Sequence, residues 1–146
     1  MDPALSAVLG VCVRWIHIAS VVTLIGGFIY VRFVLAPALA SLPASEGEAV
    51  GSKVVSGFRP LLIAVVVTVL GSGMYNYATK GSYPPGYHMW MGIKLLLVLH
   101  IAASAILYAV RESGQAKRNR TALSIVISGL VVIGIADYLR YLSLTK

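Results

Sequence analysis

Acidic residues and cysteine are what this sequence has least of. Five Asp and Glu stand against twelve Lys and Arg, and charged residues make up only 12% of the chain, about half the share of a soluble domain. The single cysteine, Cys12, excludes an internal disulfide and any CxxC or Cys-rich metal site. No GxSxG, HExxH, P-loop or dinucleotide fingerprint occurs, so none of the corresponding chemistries is signalled. Internal repeats and low-complexity tracts are also missing. Met1-Asp2-Pro3 brings no basic n-region, and no small-residue cleavage site follows the first apolar run, so that run is expected to stay as a span. The one basic run, Lys117-Arg118-Asn119-Arg120, is short and follows an apolar segment, so nucleic acid is not an expected partner.

What fills the chain instead is apolar: 58% of 146 residues, with a mean hydropathy of +0.86. Four runs stand out, at about residues 9–39, 58–78, 89–110 and 121–142. Each has at least the ~20 residues a helix needs to cross the hydrocarbon core. Backbone groups in lipid must be satisfied internally, and these runs are too long and too uniformly apolar for barrel strands. The intervening stretches are short, so residues 1–146 read as one domain: an all-α, integral membrane, antiparallel four-helix bundle. Ser45-Glu46-Gly47-Glu48 matches a capping box and marks the start of a short interfacial helix. Pro84-Pro85-Gly86 marks a rigid turn, and residues 112–120 read as a polar hairpin loop.

The loops after the first and third runs hold Lys53, Arg59, Arg111, Lys117, Arg118 and Arg120, with Arg32 close by. The opposite side has Lys80 and Lys146. The positive-inside rule then places both termini outside, which is the periplasm if the membrane is a bacterial inner membrane.

That orientation gathers the unusual residues into the outer leaflet. Ionisable groups within a span are rare and are candidates for function. His17 shares a helix stripe with Arg14, Ser20, Val21, Leu24 and Gly27. Neutral imidazole is a good axial ligand for haem iron, and bundle cofactor sites use side chains from facing helices. The bland reading is a histidine hydrogen-bonded to a serine or a carbonyl. His100 is the candidate second ligand, although at about 1.5 Å per residue it lies ~15 Å deep against ~7 Å for His17. Lys94, near the depth of His17, either snorkels past Trp90 or meets a haem propionate, an acidic substrate group or a relayed proton. Arg14 and Arg140 are candidates for propionates, with Asp137 as an alternative structural partner. His88, Met89 and Met91, with Met74 near, form the alternative site: soft thioethers select Cu(I). The glycines at 26, 27, 71, 73, 129 and 134 read as close helix packing, and the tyrosines as an interfacial belt.

Trp15-Ile16-His17-Ile18, Gly26-Gly27-Phe28 and Val34-Leu35-Ala36-Pro37-Ala38-Leu39 resemble the first span of CopD-type copper-resistance membrane domains and of the related HemJ-type protoporphyrinogen oxidases. Phe58-Arg59 before a Gly-terminated second span, and Met91-Gly92-Ile93-Lys94-Leu95-Leu96-Leu97-Val98, are similar to both as well. The HemJ-type resemblance implies haem b, with His17 as ligand, Lys94 as a required catalytic partner, and oxidation of protoporphyrinogen IX. The CopD-type resemblance implies copper uptake or handling. The expectation is a haem b-binding membrane redox protein, with a porphyrin or quinone-like partner, lipid around it and a homo-oligomer compatible with its small-residue faces. Copper handling is the alternative.

Overall fold

A computed structural model describes residues 2–79, 83, 86–111 and 113–144, without the Pro3 side chain. Lys80, Pro84, Pro85, Glu112 and Lys146, which entered the turn and orientation readings, lie outside the described residues. Helix α1 spans Pro3–Tyr30 and passes through a π turn, Val31–Leu35, into α2, Ala36–Ala40. Helix α3 is Ala44–Ala78, α4 is Tyr87–Val110 and α5 is Gln115–Leu144. Among the described residues there is no strand. The result is the expected all-α antiparallel four-helix bundle. All four of its long helical segments, α1 continued through α2 counting as one, are long and apolar enough to cross a membrane.

The π turn has a local cause. Pro37 has no N–H to bond the carbonyl four residues back, and its ring crowds that carbonyl. The turn before it widens, so that the Ala36 N–H bonds the Val31 carbonyl, five residues away. Such single-turn insertions carry a helix past a strained position without ending it.

Two boundaries differ from the sequence reading. Helix α3 begins at Ala44 and runs unbroken through Pro60 into the second span, so no separate interfacial helix forms. Pro43 occupies the cap position with no side-chain hydrogen bond, and the capping box at Ser45 is not made. At 35 residues the helix is about 52 Å long, against about 30 Å of hydrocarbon. Its N-terminal part is therefore a stalk, packed back on the first helix. Gly47 makes this possible, since a Cβ there would lie 2.8 Å from the Leu39 carbonyl oxygen. Likewise, α5 begins at Gln115, so Lys117, Arg118 and Arg120 lie on a helix and not in a loop.

Helix α1 packs on α3 and α5, and α4 packs on α3 and α5, leaving α1 and α4 on a diagonal. Small residues set the closeness of α4 and α5: Ala105, Ala109 and Ala122 are essentially inaccessible. Phe28 and Tyr108 meet edge to face across the centre, with ring centroids 5.2 Å apart. Leu24, Leu62, Val66, Ile101, Ile125 and Val126 complete this core. Gly129 admits Ile25 of α1; a Cβ there would lie 2.9 Å from its Cδ1. The outward faces are richly apolar, with Trp15, Val22, Val67 and Leu96 all more than 60% exposed. A soluble monomer rarely shows contiguous apolar surface on this scale; lipid is the medium that suits it.

The two ends differ in kind. One carries a second cluster of Tyr87, Ile135 and Leu139, flanked by Tyr77, Tyr83, Trp90 and Met91. The turn into α4 passes through Gly86 at φ +79°, a left-handed conformation that glycine adopts without penalty. The other end holds Arg32, Lys53, Arg59, Arg111, Lys117, Arg118 and Arg120. There the Arg59 Nε–H donates to the Ala109 carbonyl at 2.7 Å. It thereby satisfies one of the open carbonyls at the C-terminus of α4 and places a cation against the helix dipole.

Candidate functional site

His17 lies in α1 at the aromatic end, half-buried against α3. Its Nδ1 is 2.8 Å from Ser72 Oγ. The Ser72 hydroxyl has one proton, and it donates that proton to the Thr68 carbonyl of its own helix. The oxygen therefore accepts from His17, and the network assigns the proton of the ring to Nδ1. Nε2 is then left with an in-plane lone pair, the atom by which a neutral histidine ligates a metal or accepts a proton.

The same turn of α3 makes room for the ring. A Cβ on Gly73 would lie 3.2 Å from His17 Cε1, so even a methyl group would press on the imidazole. Serine and glycine thus act as neighbours: one holds the ring, the other lets it come close. The serine contact is also the bland alternative weighed for His17 from the sequence. It satisfies one ring nitrogen and leaves the other open.

Lys94 of α4 is half-buried, and its charge acts on His17 through space. Both lie at the aromatic end, although their helices sit on a diagonal. Arg14, Asp137 and Arg140 are at the same end and exposed. Asp137 and Arg140 are three residues apart on α5, spacing that allows a pair, but among the described residues no ion pair joins the three.

His100 turns elsewhere. It is exposed along α4, and its Nε2 is 3.2 Å from Ser124 Oγ of α5. One histidine is thus bonded to α3 and the other to α5, across different seams of the bundle. The alternative soft donors also separate. Met89 is 63% exposed, Met91 packs on the Tyr87, Ile135 and Leu139 cluster, and His88 lies against the rings of Tyr83 and Tyr87. Residues two apart on a helix do not face each other. Among the described residues no three His, Cys, Asp or Glu side chains gather as a metal site.

The sequence reading missed Ser72 as a partner and saw Gly71-x-Gly73 only as packing. A usable signal was present: small residues near the outer end of the second span, at the depth of His17 in an antiparallel neighbour. The aromatic surroundings are tightly organised. Tyr83 donates its hydroxyl to the Tyr77 carbonyl at 2.5 Å and stacks on the Tyr77 ring, and Trp90 meets Tyr138 edge to face at 5.2 Å. Burial and the neighbouring Tyr77 and Tyr87 hydroxyls push the Tyr83 phenol above its ordinary range.

No family model, curated protein or solved structure matches this chain.

Proposed function

We propose that this is a haem b-binding membrane redox protein in which His17 supplies an axial nitrogen and Lys94 meets an acidic group of the porphyrin or of a substrate. One observation carries the reading: the Ser72 hydrogen bond fixes the His17 proton on Nδ1 and leaves Nε2 available. Metal-ligating histidines characteristically donate their other ring N–H to a fixed acceptor, which sets the tautomer and ring orientation. The donor chemistry of His17 therefore fits a haem iron. His100 fits less directly, because its ring faces Ser124 and would have to leave that contact; the proposal is built on His17.

Bound haem b would supply one-electron chemistry between a lipid-soluble donor and an acceptor, and oxidation of protoporphyrinogen IX is the enzyme activity that the HemJ-type resemblance brings. The residues of this chain have separate tasks. Ser72 and Gly73 orient and admit the imidazole. Lys94 places a positive charge beside it, where a carboxylate of a porphyrin is attracted and a proton can be held. Arg14 and Arg140 stand exposed at the same end and would meet propionates where water reaches them. The concentration of basic residues at the opposite end supports an inner-membrane orientation with the aromatic end outside.

The test is a reduced-minus-oxidised absorption spectrum of the purified protein beside His17→Ala and His100→Ala. Haem b bands lost with His17→Ala and retained with His100→Ala are expected. A wild type with no Soret band after haem supplementation overturns the reading.

A further inference from the structure

The basic end holds a cavity of about 110 Å³ between the C-terminal part of α4 and the first turns of α5. Arg111, Lys117 and Arg118 line it, together with Ser104, Tyr108, Ser113 and Thr121. Three cations and four hydroxyl-bearing residues surround one small hollow, and of these hydroxyls that of Thr121 donates to the Lys117 carbonyl; the excess of positive charge favours an oxyanion. The space is many times the roughly 10–15 Å³ that admits one water, and well under the ~300 Å³ at which pockets for drug-sized ligands begin. It suits a single tetrahedral group.

Two further observations point to a ligand. The Nε–H of Arg118 is buried and has no hydrogen-bond partner among the described residues. A buried donor on a charged group is costly to leave unbonded, and the same arginine lines the cavity. Gly51 of α3 lies opposite Gln115 and Leu39: a Cβ there would be 3.2 Å from Gln115 Oε1 and 3.2 Å from Leu39 Cδ1, with Arg118 Nη1 at an ordinary 3.7 Å. In addition, the first turn of α5 contains no acidic residue, so its positive dipole end is unopposed by its own side chains. Glu112 lies outside the described residues.

We propose that this cavity is a phosphate-binding site, for the headgroup phosphate of an anionic lipid or a free phosphate-bearing solute. Arg111, Lys117 and Arg118, which all line it, supply the positive charge. Leu107, which also lines the cavity, is 56% exposed, so the hollow opens beside a surface that lipid would cover. The site is independent of the haem reading and lies at the other end of the bundle.

Native mass spectrometry of the full chain in detergent, titrated with phosphatidylglycerol or phosphatidylcholine, tests it, with calorimetry using inorganic phosphate as the second arm. Arg118→Gln is expected to weaken anion binding about fivefold, and Lys117→Gln with Arg118→Gln about thirtyfold, the loss expected per cation near a lipid phosphate. Arg118→Lys should keep the charge and lose the planar guanidinium fork, falling between wild type and Arg118→Gln. Lys53→Gln, a basic residue of the same end that does not line the cavity, should leave binding unchanged. Selective phosphatidylglycerol binding without inorganic phosphate binding assigns a lipid; binding of both assigns a general phosphate site. No binding in either arm, or equal losses with Lys53→Gln, overturns the proposal.

Discussion

At the aromatic end, His17 is held by Ser72 at Nδ1, with Gly73 against its ring and the charge of Lys94 acting on it. At the basic end, Arg118 lies across Gly51 with its Nε unbonded beside a polar hollow. The first arrangement places one neutral donor atom in a half-buried setting; the second gathers fixed charge around a hollow of about 110 Å³. A soft or metal-bound partner suits the former and a hard anion the latter. Both ends use a glycine of α3 to let another helix come close. A glycine of α3, Gly73 at one end and Gly51 at the other, faces a side chain from another helix.

The comparison is broken most directly at Ser72. Under the haem reading, Ser72→Ala should weaken haem retention about 10- to 100-fold, the usual consequence of losing the group that orients a metal-bound histidine. It should leave phosphate binding at the basic end unchanged. Haem titration monitored at the Soret band gives the first value and native mass spectrometry the second. Equal losses at both ends would mean that Ser72 supports the bundle as a whole rather than the ring of His17. Gly73→Val sharpens the point, because its bulk displaces the imidazole while Ser72 remains; it too should lower haem retention and spare the basic end.

A smaller effect distinguishes glycines that admit a neighbour from those that do not. Gly47→Ala puts a methyl group 2.8 Å from a backbone oxygen of Leu39, which a flexible side chain could evade and backbone cannot. It should destabilise the bundle by about 1–3 kcal/mol, the usual range for overpacking. Gly71→Ala meets nothing within 4 Å. It should be neutral or stabilise by about 0.4–1 kcal/mol through reduced freedom of the unfolded chain. Denaturation in mixed detergent micelles orders the two variants; a Gly47→Ala protein as stable as wild type would show that the stalk of α3 does not pack on Leu39.

Much of this architecture follows from the apolar runs, because lipid permits few backbone solutions and each run exceeds a bilayer span. The stalk of α3 was not legible for a physical reason. Pro43, Gly47, Gly51 and Gly57 lower helix propensity and read as a connection, yet Gly47 and Gly51 are there to let a neighbouring helix approach. The position of α5 was obscured similarly, since Lys117, Arg118 and Arg120 look like loop residues until their helical spacing is set against α4. At the site, His17 and Lys94 stood out by cost alone. Their neighbours did not, because Ser72 and His100 reveal their roles only once the order of helices around the bundle is known. With α1 and α4 on a diagonal, the two histidines turn to separate seams.

The smallest expected effect is at Tyr83, which ties the connection before α4 to the end of α3. Its hydroxyl donates to the Tyr77 carbonyl, and its phenol is raised above the ordinary value chiefly by burial, then by the neighbouring tyrosines. A raised acid favours its protonated form in the folded state. Its contribution is thus fully present below the unfolded value near 10 and is lost as pH rises through the higher folded value, because the phenolate can no longer donate. Wild type should therefore lose thermal stability above about pH 10 more steeply than Tyr83→Phe, while the two should have parallel profiles between pH 6 and 9 on this ordinary tyrosine scale. Tyr83 does not line the cavity at the basic end, so binding of inorganic phosphate should be the same in both proteins at neutral pH. Identical alkaline profiles would mean that the aromatic end is held by ring contacts alone, and that the hydroxyl of Tyr83 adds nothing to the position of α4.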